Sequence, residues 1–277
     1  MENFMKTLYI SDLDGTLLDS NEQISQFTAE TLNALIEKGL LFSYATARSY
    51  VTAGQLTKDI TAQFPLVLYN GAFVIDNVTK QPVITNFFDD KEVWPVVQTL
   101  LNHNVYPLVY HYKDSTEKIA YMEESSTQEM KEFLATRQGD VRRRPINEEK
   151  DFYCHNTYYI TCIDSEEKLY PLYLKLKDNP SANVIYQKDV YSGRQWLELM
   201  PKAASKANAV LMLKEKLGAD KVVCFGDGKN DISIFNVCDE KYAMANAVDE
   251  LKAVATAVID SNNNDGVAKW LLENGKY

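Results

Sequence analysis

At both ends of this chain, short apolar runs alternate with helical patterns, and that alternation restricts the fold more than any other feature. "TLYISDLD", "LLFSYATAR" and "PLVLYNGAFVID" read as strands, the last with Asn-Gly at its tip or in a hairpin turn. Between them, "SQFTAETLNALIEKG" carries apolar residues at helical spacing and stops at Gly39, and "SYVTAGQLTKDI" is also helical. Near the other end, "QWLELMP", "KVVCFGDG", "KYAMANA" and "TAVIDS" read as strands, separated by the helical segments "SKANAVLMLKEKLG", "NDISIFNVCD" and "VDELKAVA" and followed by "GVAKWLLENG". Strands separated by helices predict a parallel, doubly wound α/β sheet built from both ends of the chain, residues 1–80 and 191–277.

The middle, residues 81–190, has another character. "PVITNFF", "YPLVYHYK", "KIAYMEE", "NTYYITCID" and "NVIYQKDVY" are strand-like, with helical segments at "KEVWPVVQTLLNHN", "STQEMKEFLATRQ" and "SEEKLYPLYLKLKDN". Ser126 and Glu129 fit a capping box, while Pro95 and Pro171 interrupt otherwise helical patterns. Adjacent strands with few helices predict an inserted α+β domain on an antiparallel sheet. The fold class is therefore a Rossmann-like α/β core with an α+β insertion. The dense tyrosines here read as β-propensity and half-buried packing.

Composition narrows the partners. With 29 Lys and Arg against 39 Asp and Glu, the formal net charge of -10 argues against binding nucleic acid through the overall field. Any bound anion needs a local positive cluster. The basic run Arg142–Arg144 reads as a solvated loop or strand end. The longest apolar runs are too short to span a bilayer, and the N-terminal segment lacks a signal-like pattern, so a soluble cytoplasmic protein is expected. Cys154, Cys162, Cys224 and Cys238 form no C-x-x-C pair and read as free, buried thiols in a reducing compartment. The chain's three histidines are too scattered to suggest a metal site.

In open α/β sheets, ligands bind beyond the carboxyl ends of the strands, near a topological switch point. Polar residues fall at several such ends: Asp12 and Asp14; Thr46 and Arg48; Asn70 and Gly71; Asp227, Asn230 and Asp231. Lys206 opens the helix after "WLELMP". Four carboxylates in one pocket would repel severely without a hard cation, and Mg²⁺ suits such an oxygen donor set. Thr46, Asn70, Lys206 and the turn amides around Asp14 and Gly15 could hold an anion beside it. A carboxylate beside a metal-bound phosphate could attack phosphorus.

"DLDGT" at 12–16, Thr46, Lys206 and "GDGKND" at 226–231 resemble the four motifs of the haloacid dehalogenase superfamily. "DLDGTLL", "ATAR", "YNGA" and "GDGKNDISIF" are similar to its Cof-type subfamily, which carries a large α/β cap between the third strand and the motif lysine. The resemblance implies a Mg²⁺-dependent phosphatase of small phosphorylated metabolites, with a cap that excludes bulky substrates. It implies that Asp12 is the nucleophile, Asp14 the general acid and base, and Thr46 a phosphate-binding hydroxyl. By the same resemblance, Lys206 is expected to neutralise nucleophile and phosphoryl group. It implies further that Asp227 binds Mg²⁺ with the Asp12 side chain and the Asp14 carbonyl, and that Asn230 and Asp231 orient phosphate or metal waters. Arg48, Asn70 and Gly71 complete the expected phosphate site, and Asp231 is expected among the metal residues. Ala47 and Ala207 stand where glycine is commoner. Sugar phosphates, phosphorylated cofactors and nucleotides are the expected substrates of a monomer or homodimer. The alternatives are a sugar phosphomutase, a signalling receiver and a non-catalytic sugar-phosphate sensor.

Overall fold

The computed structural model describes residues 5–61, 64–114, 116–189 and 193–277. Along these residues the strands are β1 (Thr7–Ser11), β2 (Leu41–Tyr44), β3 (Leu66–Leu68), β4 (Phe73–Ile75), β5 (Pro82–Thr85), β6 (Leu108–Lys113), β7 (Thr116–Tyr121), β8 (Arg143–Pro145), β9 (Thr157–Ile163), β10 (Ala182–Lys188), β11 (Gln195–Pro201), β12 (Lys221–Gly226), β13 (Glu240–Met244) and β14 (Ala257–Ile259). The α-helices are α1 (Gln26–Glu37), α2 (Tyr50–Leu56), α3 (Asp90–Leu101), α4 (Gln128–Ala135), α5 (Glu166–Leu176), α6 (Lys206–Leu217), α7 (Ile232–Phe235), α8 (Asp249–Lys252) and α9 (Gly266–Asn274). No helix among the described residues is long and apolar enough to cross a membrane.

The chain divides into two compact units. One runs to Thr85 and resumes at Ala204; the other is Asn86–Ala203. In the first, a parallel sheet runs in the order β14-β13-β12-β1-β2. The chain leaves β1 toward β2 on one side and passes from β12 toward β13 and β14 on the other. The order therefore reverses between β1 and β12, the switch point of a doubly wound sheet. Central strands are buried on both faces: every residue of β1 is buried, as are Val222–Gly226 of β12. Beyond β2, Ala45 bridges Val67 in parallel, and β3, β4 and β5 form an antiparallel sheet. "PLVLYNGAFVID" is thus the hairpin of β3 and β4, not a single strand.

The second unit is a six-stranded sheet in the order β10-β11-β9-β6-β7-β8, antiparallel except for the β7–β8 pair. Val93, Val96, Val97 and Leu100 of α3 and Leu169, Leu172 and Leu176 of α5 share one core with Ile160, Cys162, Leu197 and Leu199 of the strands. The helical residues recur every three or four positions and the strand residues every two, each set forming one apolar face. Both helices contain proline at the sixth residue, Pro95 and Pro171, and continue.

Several expectations need correction. Boundaries after residues 80 and 190 do not match the two units. β5 pairs with β4, which keeps it in the first unit, and β11 is hydrogen-bonded between β10 and β9, which carries "QWLELMP" into the second. The strand expected to reach Tyr191 ends at Lys188, and Val190 and Tyr191 lie outside the described residues. The cap of α4 is Thr127, whose hydroxyl accepts from the Met130 amide, while Ser126 donates to the Met122 carbonyl. The basic run is not a solvated patch. Arg142 is buried between Asp140 (2.6 Å) and Glu117 (3.2 Å). Arg143 donates to the Tyr121 hydroxyl and Arg144 to Cys154 Sγ. The four cysteines are buried and free, as expected.

Candidate active site

The site grows from the switch point. The Asp12 amide donates to the Phe225 carbonyl (3.0 Å), joining the end of β1 to the end of β12. The chain then turns through residues 13–17 with Gly15 at φ 70°. A β-carbon on Gly15 would lie 2.2 Å from Asp227 Oδ2, so this turn can approach the second loop only as glycine. Thr16 Oγ1 donates to Asp227 Oδ1 at 3.0 Å. Asn246, at the end of β13, donates to the Gly15 carbonyl and accepts from the Asn262 amide, bracing the same turn.

Lys206 arrives from the opposite direction. Ser205 caps α6 by accepting from the Asn208 amide, and Lys206 is the first helical residue. The turn Tyr69–Gly71 abuts this start. Gly71, at φ 94°, lies so close that a β-carbon would stand 2.3 Å from the Ser205 carbonyl oxygen. Lys206 is buried, with Nζ 2.8 Å from Asp12 Oδ1 and 2.9 Å from Asp231 Oδ1. The other oxygen of Asp231 accepts from the amides of Asp227 and Gly228, both at 3.1 Å. Lys202 is exposed.

Asp12, Asp227 and Asp231 offer ligand oxygens that all lie within 4.8 Å of one another. Burial pushes the Asp12 carboxyl well above the usual range. Asp231 raises it further, and Lys206 opposes. Burial, then Asp231, pushes Asp227 up to about 7. For Lys206, burial works against the charge, yet the flanking Asp12 and Asp231 carboxylates raise its pKa above the ordinary value. Three carboxylates (−3) and one ammonium (+1) leave a formal −2 at this spot, matching one divalent cation. The donors are all oxygen, as Mg²⁺ requires.

The Asp14 side chain is outside this cluster. Both of its oxygens accept from Arg48, with Nε at 2.9 and 3.0 Å and a terminal nitrogen at 2.6 Å. Arg48 also reaches Glu22 Oε2 at 2.8 Å. Thr46 is buried and its hydroxyl accepts from the Arg48 amide; the buried Asn70 donates its amide to the Thr46 carbonyl. Asn230 lies on the turn between Asp227 and Asp231. Sequence reasoning missed Glu22, Thr16, Asn246 and Asn262. Asn246 carried a signal, a polar residue just past a strand end in "KYAMANA"; Glu22 carried none.

Residues 9–271 match the family of haloacid dehalogenase-like hydrolases. Two curated relatives from Bacillus subtilis are named 5-amino-6-(5-phospho-D-ribitylamino)uracil phosphatase. YwtE is 28% identical across 99% of this chain and 100% of its own length. YitU is 26% identical across 95% of each chain. Among solved structures, TM0651 from Thermotoga maritima superposes with a TM-score of 0.79 at 25% identity, covering 99% of this chain and 98% of its own.

Proposed function

The chain belongs to the haloacid dehalogenase-like hydrolase family, and from that premise we propose that it is a Mg²⁺-dependent phosphatase of small phosphate monoesters. The observation that carries the reading is the convergence of Asp12, Asp227, Asp231 and Lys206 at the switch point of the sheet. Asp12 is the nucleophile, and its attack on phosphorus gives an aspartyl-phosphate. Lys206 holds the attacking carboxylate and offsets charge on the phosphoryl oxygens. Asp14 gives its proton to the leaving oxygen and takes one back from the water that frees phosphate. Thr46, Asn70, Asn230 and the amides beside Gly15 and Gly71 serve the phosphate.

Asp12 and Asp227 would hold Mg²⁺ with the Asp14 carbonyl. Asp231, already bonded to Lys206 and two amides, fixes the loop and would add its charge to the metal site. When bound, Mg²⁺ supplies positive charge against the carboxylates and the phosphoryl group. The curated relatives act on the phosphate of a ribityl chain, which favours alkyl phosphates of the sugar, polyol and cofactor-precursor type.

The test is phosphate release from a panel of such esters, with and without Mg²⁺, by wild type and Asp12→Asn. Metal-dependent turnover that disappears in the variant is expected. Turnover only with a bisphosphate activator would mark a phosphomutase. No turnover on any ester by folded, Mg²⁺-bound protein would overturn the reading in favour of a sensor.

A further inference from the structure

Arg48 and Glu22 form a chain that ends on Asp14. The Arg48 backbone is fixed at both ends, its amide donating to Thr46 Oγ1 (3.1 Å) and its carbonyl accepting from the Tyr69 amide (3.1 Å). Its guanidinium is mostly buried and takes both oxygens of Asp14 in a fork, a geometry that sets direction as well as distance. Glu22 accepts from the same terminal nitrogen that bonds Asp14 Oδ1, at 2.8 Å. Glu22 stands at φ 57°, a left-handed backbone that is unfavourable for a side-chain-bearing residue. A tight loop maintains it: Asp19 Oδ1 accepts from the amides of Asn21 and Gln23, and the Glu22 amide donates to the Asp19 carbonyl. Left-handed residues with side chains persist where the surroundings over-determine them, often beside functional groups.

We propose that Glu22, acting through Arg48, is a positioning residue that aims the Asp14 carboxyl at the leaving group. The inference rests on the phosphatase reading and deepens it. In the first half-reaction the Asp12–phosphorus bond forms, the phosphorus–oxygen bond to the leaving group breaks, and the Asp14 proton moves to the departing oxygen. In the second, water oxygen bonds to phosphorus, the Asp12–phosphorus bond breaks, and a water proton returns to Asp14. One carboxyl must keep its aim through both transfers, and the Arg48 bond to Oδ1 (2.6 Å) supplies that constraint while Oδ2 carries the proton.

The experiment compares kcat/KM, which reports steps through leaving-group release, on two esters of similar size, p-nitrophenyl and phenyl phosphate. p-Nitrophenolate departs readily without a proton; phenolate gains more from one. Arg48→Ala is expected to lower kcat/KM about 100-fold on phenyl phosphate and about threefold on p-nitrophenyl phosphate, within the range of general acid catalysis. Glu22→Gln, half-exposed and safe for folding, is expected to shift the same ratio in the same direction by about fivefold. The double variant should match Arg48→Ala alone, because Glu22 acts through Arg48. Equal losses on both esters would overturn the inference and make the pair structural or phosphate-binding, as would additive losses in the double variant. Wild type inert toward both esters and toward the alkyl panel would remove the phosphatase reading and this inference together.

Discussion

The two units treat buried charge in opposite ways. In the inserted unit, Arg142 lies between Asp140 and Glu117, and the Tyr158 hydroxyl adds a donor to Glu117. Glu198, also buried, accepts from the Tyr159 hydroxyl and the Gln187 amide. Charges there are met by donors or opposite charges on neighbouring strands and turns. In the first unit, three carboxylates crowd around a single ammonium, and Asp12 and Asp227 are both held above the usual carboxylate range. A satisfied cluster stabilises a fold; an unbalanced one stores repulsion that a cation can relieve. The imbalance, more than the burial, distinguishes the catalytic candidate from the structural network.

The sharpest way to separate the two is Asp12→Asn. Phosphate release should fall by at least about a thousandfold. In metal-free buffer at pH 8 the same variant should melt above wild type, because it removes one of the repelling charges. A lower melting temperature there would contradict the account of the imbalance. The pH dependence of the metal-free protein follows from Asp227. Its folded pKa is raised, so its contribution is fully present below the unfolded value of 3.8 and is lost as pH rises through about 7. Urea unfolding should show stability dropping by on the order of 4 kcal/mol from this group over that window, and Mg²⁺ should restore it near pH 8.

Smaller effects test the other half of the comparison. Arg142→Met should cost about 2 kcal/mol in urea unfolding, discounted for the partial exposure of its partners. Its effect should appear in stability, with kcat on p-nitrophenyl phosphate unchanged. Thr127→Ala should cost about 1 kcal/mol as the loss of a helix cap.

Most of the candidate site was legible because its motifs are short and abut strands. "DLDGT" and "GDGKND" each follow an apolar run, and sheet topology places such ends together. The place of Lys206 was legible because a helix start with Ser205 as its cap can be read locally. Partners distant in sequence were not legible. "QWLELMP" announces a strand but not its neighbours, so its place between β9 and β10 emerged only from the sheet. Arg142 looked solvated because Glu117 lies 25 residues away. Glu22 reaches Arg48 from a left-handed backbone, and nothing in "DSNEQIS" signals that conformation.

Calorimetric titration of the metal-free protein with Mg²⁺ tests the central claim most directly. The account predicts one ion bound per chain, proton release on binding near pH 7, and loss of binding in Asp227→Asn. No binding at millimolar Mg²⁺, or binding unchanged in Asp227→Asn, would contradict it.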